Sequence, residues 1–283
     1  MPNQVVSANM DPAVVESFGQ EWQKFDHTQT SELELRTVFE EYFQIFPWHL
    51  MSAQSVGFDL GCGSGRWAYF VAPRVGTLYC IDPSPNALQV AKDKLRKFAN
   101  CKFHLAAADS IPLADGSADF GYSLGVLHHV PDTRQAIVDC AKKLKPGAPL
   151  LLYLYYSFEN RPRWFRVVWK ISDSARHLTS QLPSRLKMFV TDLLAVILYW
   201  PLARFAKICE LLGVPVKNFP LSTYRNRSFV FMRNDSLDRF GTGLEHRFTR
   251  AEIREMMQFA GLTNVQLSGE AGPFWCAVGY KKV

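Results

Sequence analysis

Cysteine pairing is the first thing the sequence lacks. Its six cysteines, Cys62, Cys80, Cys101, Cys140, Cys209 and Cys276, are scattered, with no C-x-x-C pair and no Cys/His cluster at zinc spacing. A disulfide scaffold and a structural zinc site are thereby disfavoured, and a reducing cytoplasm is expected. The opening Met-Pro-Asn-Gln-Val-Val lacks the basic-then-apolar layout of a signal peptide. No internal repeat and no low-complexity tract occurs, and the longest apolar stretch, Met188–Trp200, is too short for the about 20 residues a bilayer crossing needs. What remains is an ordinary globular composition: 283 residues, 48% hydrophobic and 13% aromatic. That suffices for one large domain, or one domain with an elaborated insert. The net charge of +6 is unevenly spread. Residues 157–233 hold 13 Lys and Arg against 4 Asp and Glu, a surplus larger than that of the whole chain. The basicity belongs to one segment, which weakens any inference of nucleic-acid binding from overall charge.

Residues 11–50 read as helical, with aromatics at Phe18, Trp22 and Phe25 and an apolar face through Leu35, Val38, Phe39 and Phe43. From Ser55 short apolar runs alternate with helical stretches, the mark of a parallel α/β sheet. Strands are expected at 55–61, 77–82, 101–106, 118–124 and 149–156, and helices at 65–73, 84–98 and 132–144. Lys145-Pro146-Gly147 stops the last of these helices. After a break of some 75 residues a helix at 249–260 leads to strands at 263–269 and 274–281, whose short link predicts an antiparallel hairpin. The expected fold is α/β, a doubly wound, Rossmann-like sheet with one reversed strand. The expected division is an N-terminal helical lid (1–50), a core (51–156 and 248–283) and an acceptor-side helical insert (157–247).

The strongest motif is Asp59-Leu-Gly-Cys-Gly-Ser-Gly65, at the end of a strand and the start of a helix. Gly61, Gly63 and Gly65 permit a tight turn and a close backbone approach to a ligand. A nicotinamide fingerprint requires Gly or Ala in the sixth place, where Arg66 stands. Asp82 ends the second strand, where a carboxylate can accept from both hydroxyls of a ribose, and Asp109 follows the third, within reach of an adenine amino group. Taken alone, each acid could be a turn former. Three acids after three successive strands line one carboxyl-end crevice. Pro83 and Ser110, next to the second and third acids, are assigned to the same site.

Residues 55–152 resemble a class I S-adenosylmethionine-dependent methyltransferase of the broad small-molecule, type 11 kind. The resemblance rests on D-L-G-C-G-S-G at 59–65, I-D-P-S at 81–84, A-D-S-I-P-L at 108–113, L-G-V-L-H-H-V-P-D at 124–132 and L-K-P-G at 144–147. It implies that Asp59 and the glycines flank the methionine moiety, that Asp82 binds ribose and Asp109 adenine, and that Leu124 and Gly125 lie beside the donor sulfur. It also implies a seven-stranded order 3-2-1-4-5-7-6 with strand 7 antiparallel, S-adenosylhomocysteine as product, and no metal. The loop after the fourth strand lacks the Asn/Asp-Pro-Pro-aromatic signature of adenine or glutamine amine methylation, and lacks the nucleophilic cysteine of a cytosine-5 enzyme.

An oxygen acceptor must lose a proton, and His128 and His129 follow the fourth strand with a titration range suited to that task; the plainer role for either is to cap the loop. Tyr156, at the end of the fifth strand, and Arg239, His246 and Arg247, in a loop rich in charge and glycine, are assigned to the acceptor, with Trp22 and Phe25 closing from the N-terminal helix. Core packing is the alternative for the aromatics and a solvated loop for the charges. Methylation of a small organic molecule on oxygen is therefore expected. The alternatives are carbon or nitrogen methylation of an amphiphilic metabolite, or non-catalytic binding of the donor. Met188–Trp200 is apolar on nearly every helical face and is expected to stop at Pro201. Upstream lie Arg161, Arg163, Arg166, Lys170, Arg176, Arg185 and Lys187, interleaved with Trp164, Phe165 and Trp169. That combination raises peripheral membrane contact through 161–200 beside the blander reading of a helical subdomain or oligomer contact.

Overall fold

The structure, a computed structural model, describes residues 7–25, 30–159, 161–269 and 274–283. The opening residues 1–6 and the link between the last two strands, 270–273, lie outside these.

Seven strands form one sheet: β1 (Val56–Leu60), β2 (Thr77–Asp82), β3 (Cys101–Leu105), β4 (Phe120–Leu124), β5 (Pro149–Tyr155), β6 (Leu262–Leu267) and β7 (Phe274–Lys281). Their order is β3-β2-β1-β4-β5-β7-β6, as expected, with β7 antiparallel to both neighbours. The central strands β1 and β4 are buried along nearly their whole length because helices cover both faces of the sheet. They also interlock. Gly57 pairs with Phe120 and Phe58 with Gly121, so each ring lies where its partner's Cβ would be.

One face of the sheet is covered by α5 (Thr133–Lys143) and α10 (Arg250–Phe259), burying Leu150, Leu152, Leu154 and Trp275 among Ile137, Ile253 and Met257. The other is covered by α2 (Glu32–Phe43), the short α3 (Ala68–Val71) and α4 (Pro85–Leu95), around Phe39, Phe43, Trp67, Leu78 and Tyr122. Local signals set the helix boundaries. Ser84 caps α4, and Thr249 with Glu252 forms the capping box of α10. The helical N-terminal region separates into α1 (Pro12–Lys24), capped by Asp11, and α2.

Between β5 and α10 stand α6 (Arg163–Ser180), α7 (Ser184–Leu194), α8 (Trp200–Leu211) and α9 (Phe229–Gly241). Helices α7 and α8 run on through a π-helical turn at Ala195–Tyr199, so the helix does not stop at Pro201. The wider turn tolerates a residue without an N–H, and Pro201 stands just after it in the continuous helix. A second departure concerns Asp235, Asp238 and Arg239, which belong to α9 and not to a loop. Ser228 caps that helix, and Met232, Ser236, Leu237 and Phe240 give it a buried face at 3–4-residue spacing.

Candidate active site

At the carboxyl edge of the sheet, β1 ends in the glycine turn. Gly61, Gly63 and Gly65 all have positive φ, at 74°, 53° and 72°. Only glycine takes such a run without strain. The turn is tied to the next strand, since Gly61 and Cys62 donate their N–H groups to the Ile81 carbonyl. Asp82 then locks it. One carboxylate oxygen accepts from Gly63 N–H at 2.9 Å and the other from Ser84 N–H at 2.9 Å. Burial pushes this carboxyl up to about 6, against the pull of those two amides.

Beyond the turn lies a crevice floored by Gly61, Gly63, Asp82, Pro83, Leu124 and Gly125, with Ala107, Ala108, Leu127 and Val130 as an apolar wall. Its roof comes from two helices outside the sheet. Helix α1 contributes Val14, Val15, Phe18, Glu21 and Trp22, and α9 contributes Phe231, Asn234, Asp235 and Asp238. The second set is spaced i, i+3, i+4, i+7, one face of one helix. Asn234 donates to the buried Glu21, joining the two roof helices. Burial, reinforced by the charge of Asp238, holds Glu21 well above the usual carboxylate range, and the same two causes bring Asp235 up to about 6. Arg66 lies between two rings, 4.7 Å from the centroid of Trp22 and 4.6 Å from that of Trp67.

The far end of the crevice holds a histidine, a tyrosine and an acid. His129 is 4% exposed, and its Nδ1 lies 2.7 Å from the Leu244 carbonyl oxygen. A carbonyl only accepts, so Nδ1 carries a proton and it is Nε2 that is left to face the crevice. That Nε2 faces Asp238 Oδ1 at 3.5 Å, and among the described residues neither atom has a hydrogen-bond partner. The other oxygen of Asp238 accepts from Tyr155 Oη at 2.9 Å. Two buried polar atoms without a hydrogen-bond partner, facing each other inside a crevice, are suited to a polar group arriving from outside the chain.

The candidates of the sequence reading divide. Gly61, Gly63, Asp82, Pro83, Leu124, Gly125, Trp22 and His129 line the crevice. Asp59 lies beneath its floor, 1% exposed, and burial holds its carboxyl well above the usual range. Gly65 packs against Leu95 and Ala91. Asp109 and Ser110 are exposed beyond the wall, where Ser7 donates to Asp109. Phe25 is buried beneath Lys24 and Arg233 and does not line the crevice. His128 is fully buried, stacked on Tyr155 at 3.9 Å, and burial followed by the neighbouring His129 drives its pKa well down. It does not line the crevice, where His129 stands instead.

The assignment of Tyr156 is corrected. It shares strand parity with Leu152 and Leu154 and packs edge-on against Trp275, whereas Tyr153 and Tyr155 reach the crevice. Tyr156, Arg239 and Arg247 instead line a second, smaller cavity behind Tyr153, Tyr155 and Asp235. His246 lines neither cavity, although its N–H donates to the His128 carbonyl. Glu21, Arg66 and Asn234, which also line the crevice, carry no motif in the sequence, while Tyr153, Tyr155 and Asp235 lie in stretches the sequence marks without being assigned to the site.

A doubly wound sheet of this order, with a glycine turn and a carboxylate at the ends of its first two strands, defines a class I methyltransferase architecture. Comparison with known proteins agrees. The family described as Methyltransferase domain matches residues 58–152, and this part of the chain is a class I S-adenosylmethionine-dependent methyltransferase domain. Methyltransferase GfsG of Streptomyces halstedii is 35% identical over 98 residues, 33% of this chain and 35% of that protein. Ubiquinone biosynthesis O-methyltransferase of Thiobacillus denitrificans is 32% identical over 105 residues, 36% of this chain and 44% of its own length. The chain thus spans less than half the length of these curated relatives. The solved structure of a DhpI–SAH complex superposes with a TM-score of 0.58 at 11% identity, over 98% of this chain and 99% of that one, a likeness of fold.

Proposed function

We propose that the protein transfers the methyl group of S-adenosylmethionine to a hydroxyl oxygen of a small organic molecule, with His129 as the base. The chemistry of the crevice fits the donor. Asp82 offers a carboxylate to a ribose diol, the apolar wall at Ala107, Ala108 and Val130 offers a slot for a flat base, and Glu21 with Arg66 offers a hydrogen-bonding carboxyl and a cation for the amino-acid end. Bound there, the donor supplies an electrophilic methyl group on a positively charged sulfur. The chain's own residues do the rest. His129 Nε2 takes the hydroxyl proton, Asp238 opposite stabilises the imidazolium that results, and Tyr155 holds Asp238 in place. The crevice walls fix the acceptor for in-line displacement. In this reading residues 1–50 act as a lid, 157–247 as an acceptor-specifying cover, and the free cysteines suit a cytoplasmic protein.

The observation that carries the reading is the bare Nε2 of His129, turned into the crevice by the bond on its other nitrogen. A second reading, methylation of an amine, is favoured by the three acids Glu21, Asp235 and Asp238 around the same space. Incubation of metabolite extracts with labelled donor, followed by analysis of the product linkage, separates the two. A methyl ether is expected, with His129→Ala lowering kcat by about 10²–10⁴ while S-adenosylhomocysteine binds as before. A labelled amine transfers the conclusion to the second reading. Tight binding without any labelled product leaves a non-catalytic binder and overturns both.

A further inference from the structure

Helices α7 and α8 with the turn between them make one continuous rod, Ser184–Leu211, of 28 residues. At 1.5 Å per residue it is about 42 Å long. Its best 18-residue window has a mean hydropathy of 1.6, yet only 22% of that window is buried. The inner face is packed: Thr191, Ala195, Tyr199, Ala203 and Ala206 are buried over Met232, Tyr224 and Phe240. Asp192 also turns inward, to Lys24 at 2.9 Å and Arg233 at 2.8 Å. The outer face is the anomaly. Every exposed residue from Leu186 to Leu212 is apolar, among them Phe189, Leu193, Ile197, Trp200 and Leu211. Phe189 is 64% exposed and Leu211 74%. A soluble monomer rarely leaves so long an apolar stripe open to water.

This rod cannot be a bilayer crossing. One side is committed to protein, and it carries the Asp192 ion pairs, which lipid would leave unsolvated. The stripe is bordered mainly by cations, and the nearby acids Asp173 and Glu210 are already paired with Arg176 and Arg225. On the preceding helix α6, Trp164, Val168, Ile171 and Leu178 are exposed beside Arg163, Arg166 and Lys170, and Arg185 opens α7. Among the described residues none of these four cations has an ion-pair partner. Apolar side chains flanked by free cations match a membrane surface carrying anionic headgroups. A two-fold axis through this face would bring the same cations together, and the acids on these helices, Asp173 and Glu210, are already engaged within the chain.

We propose that the outer faces of α6 and of the α7–α8 rod seat the protein on an anionic lipid bilayer, the rod lying along the interface and the cations engaging headgroups. The test is flotation of the full chain with phosphatidylcholine vesicles, with and without phosphatidylglycerol, at low and high salt. Flotation with anionic vesicles is expected, weakened by salt. Arg163→Glu combined with Arg166→Glu should lower the vesicle affinity about 30-fold or more. Phe189→Glu combined with Ile197→Glu should abolish flotation while circular dichroism and S-adenosylhomocysteine binding stay as in the parent. Protein that stays unbound at low salt overturns the proposal. So does a dimer in sedimentation that Ile197→Glu dissociates while vesicles are ignored, which would assign the face to a second copy.

Discussion

Asp82→Asn is the substitution on which the cofactor reading stands most sharply. The carboxylate uses one oxygen for Gly63 N–H and the other for Ser84 N–H, each at 2.9 Å, and it lines the crevice. Asparagine keeps one accepting oxygen but replaces the other with an NH₂ group, so one of those amides loses its partner and the charge disappears. A hydrogen bond to a charged group contributes about 1.5–3 kcal/mol, so losing one toward a ribose weakens binding by about 10- to 150-fold. Stability responds differently. Burial has raised this carboxyl from 3.8 to about 6, so ionised Asp82 is a cost to the fold that is absent below 3.8, grows as pH rises through that interval and is complete above 6. Asparagine removes that cost while orphaning an amide, and the two effects oppose each other. At pH 8 calorimetry should therefore show S-adenosylhomocysteine binding weakened at least tenfold by Asp82→Asn, with little change in Tm. Unchanged affinity, or tighter binding of a dinucleotide than of S-adenosylhomocysteine, would refute the assignment.

Two further outcomes follow from the same turn. If the ligand needs Asp82 ionised, parental affinity should fall about tenfold per unit as pH drops below 6, and Asp82→Asn should flatten that limb of the profile; a parental profile flat from 5 to 8 contradicts it. Gly63→Ala places a Cβ at φ +53°, 2.9 Å from the Trp22 indole, so about 1–2 kcal/mol of backbone strain adds to a displaced roof residue. Its Tm should drop by several degrees and its affinity for S-adenosylhomocysteine should fall together with it, as thermal melts with and without ligand will show.

The sheet and its floor were legible because their signals are local. Strand runs bounded by glycine and proline, the acids ending β1 and β2, and the Thr249–Glu252 capping box all act within a few residues of themselves. Tyr156 was misassigned although parity alone places it with Leu150, Leu152 and Leu154; the ladder partner of Tyr155, Phe274, confirms the register. The roof was not legible for a different reason. Whether the polar face of α9 meets solvent or a crevice depends on packing against α1, more than 200 positions away in the chain, where Asn234 finds Glu21. The charge-rich stretch beginning at Asp235 looked like a loop because its acids mask the buried spacing of Met232, Leu237 and Phe240. Pro201 read as a stop because periodicity carries no sign of a π turn.

The floor and the roof of the crevice come from different stretches of the chain. The stretch shared with the methyltransferase family, 58–152, supplies the glycine turn, Asp82 and His129, while Glu21 on α1 and Asn234, Asp235 and Asp238 on α9 fall outside it. In the proposed reading Glu21 on α1 serves the donor, so it is along α9 that substitution can rework what the pocket accepts while the glycine turn and Asp82 stay as they are. Swapping α9 among homologues with the same floor offers a direct route to new acceptors, and repertoire in such a lineage should diversify fastest along the positions 231, 234, 235 and 238.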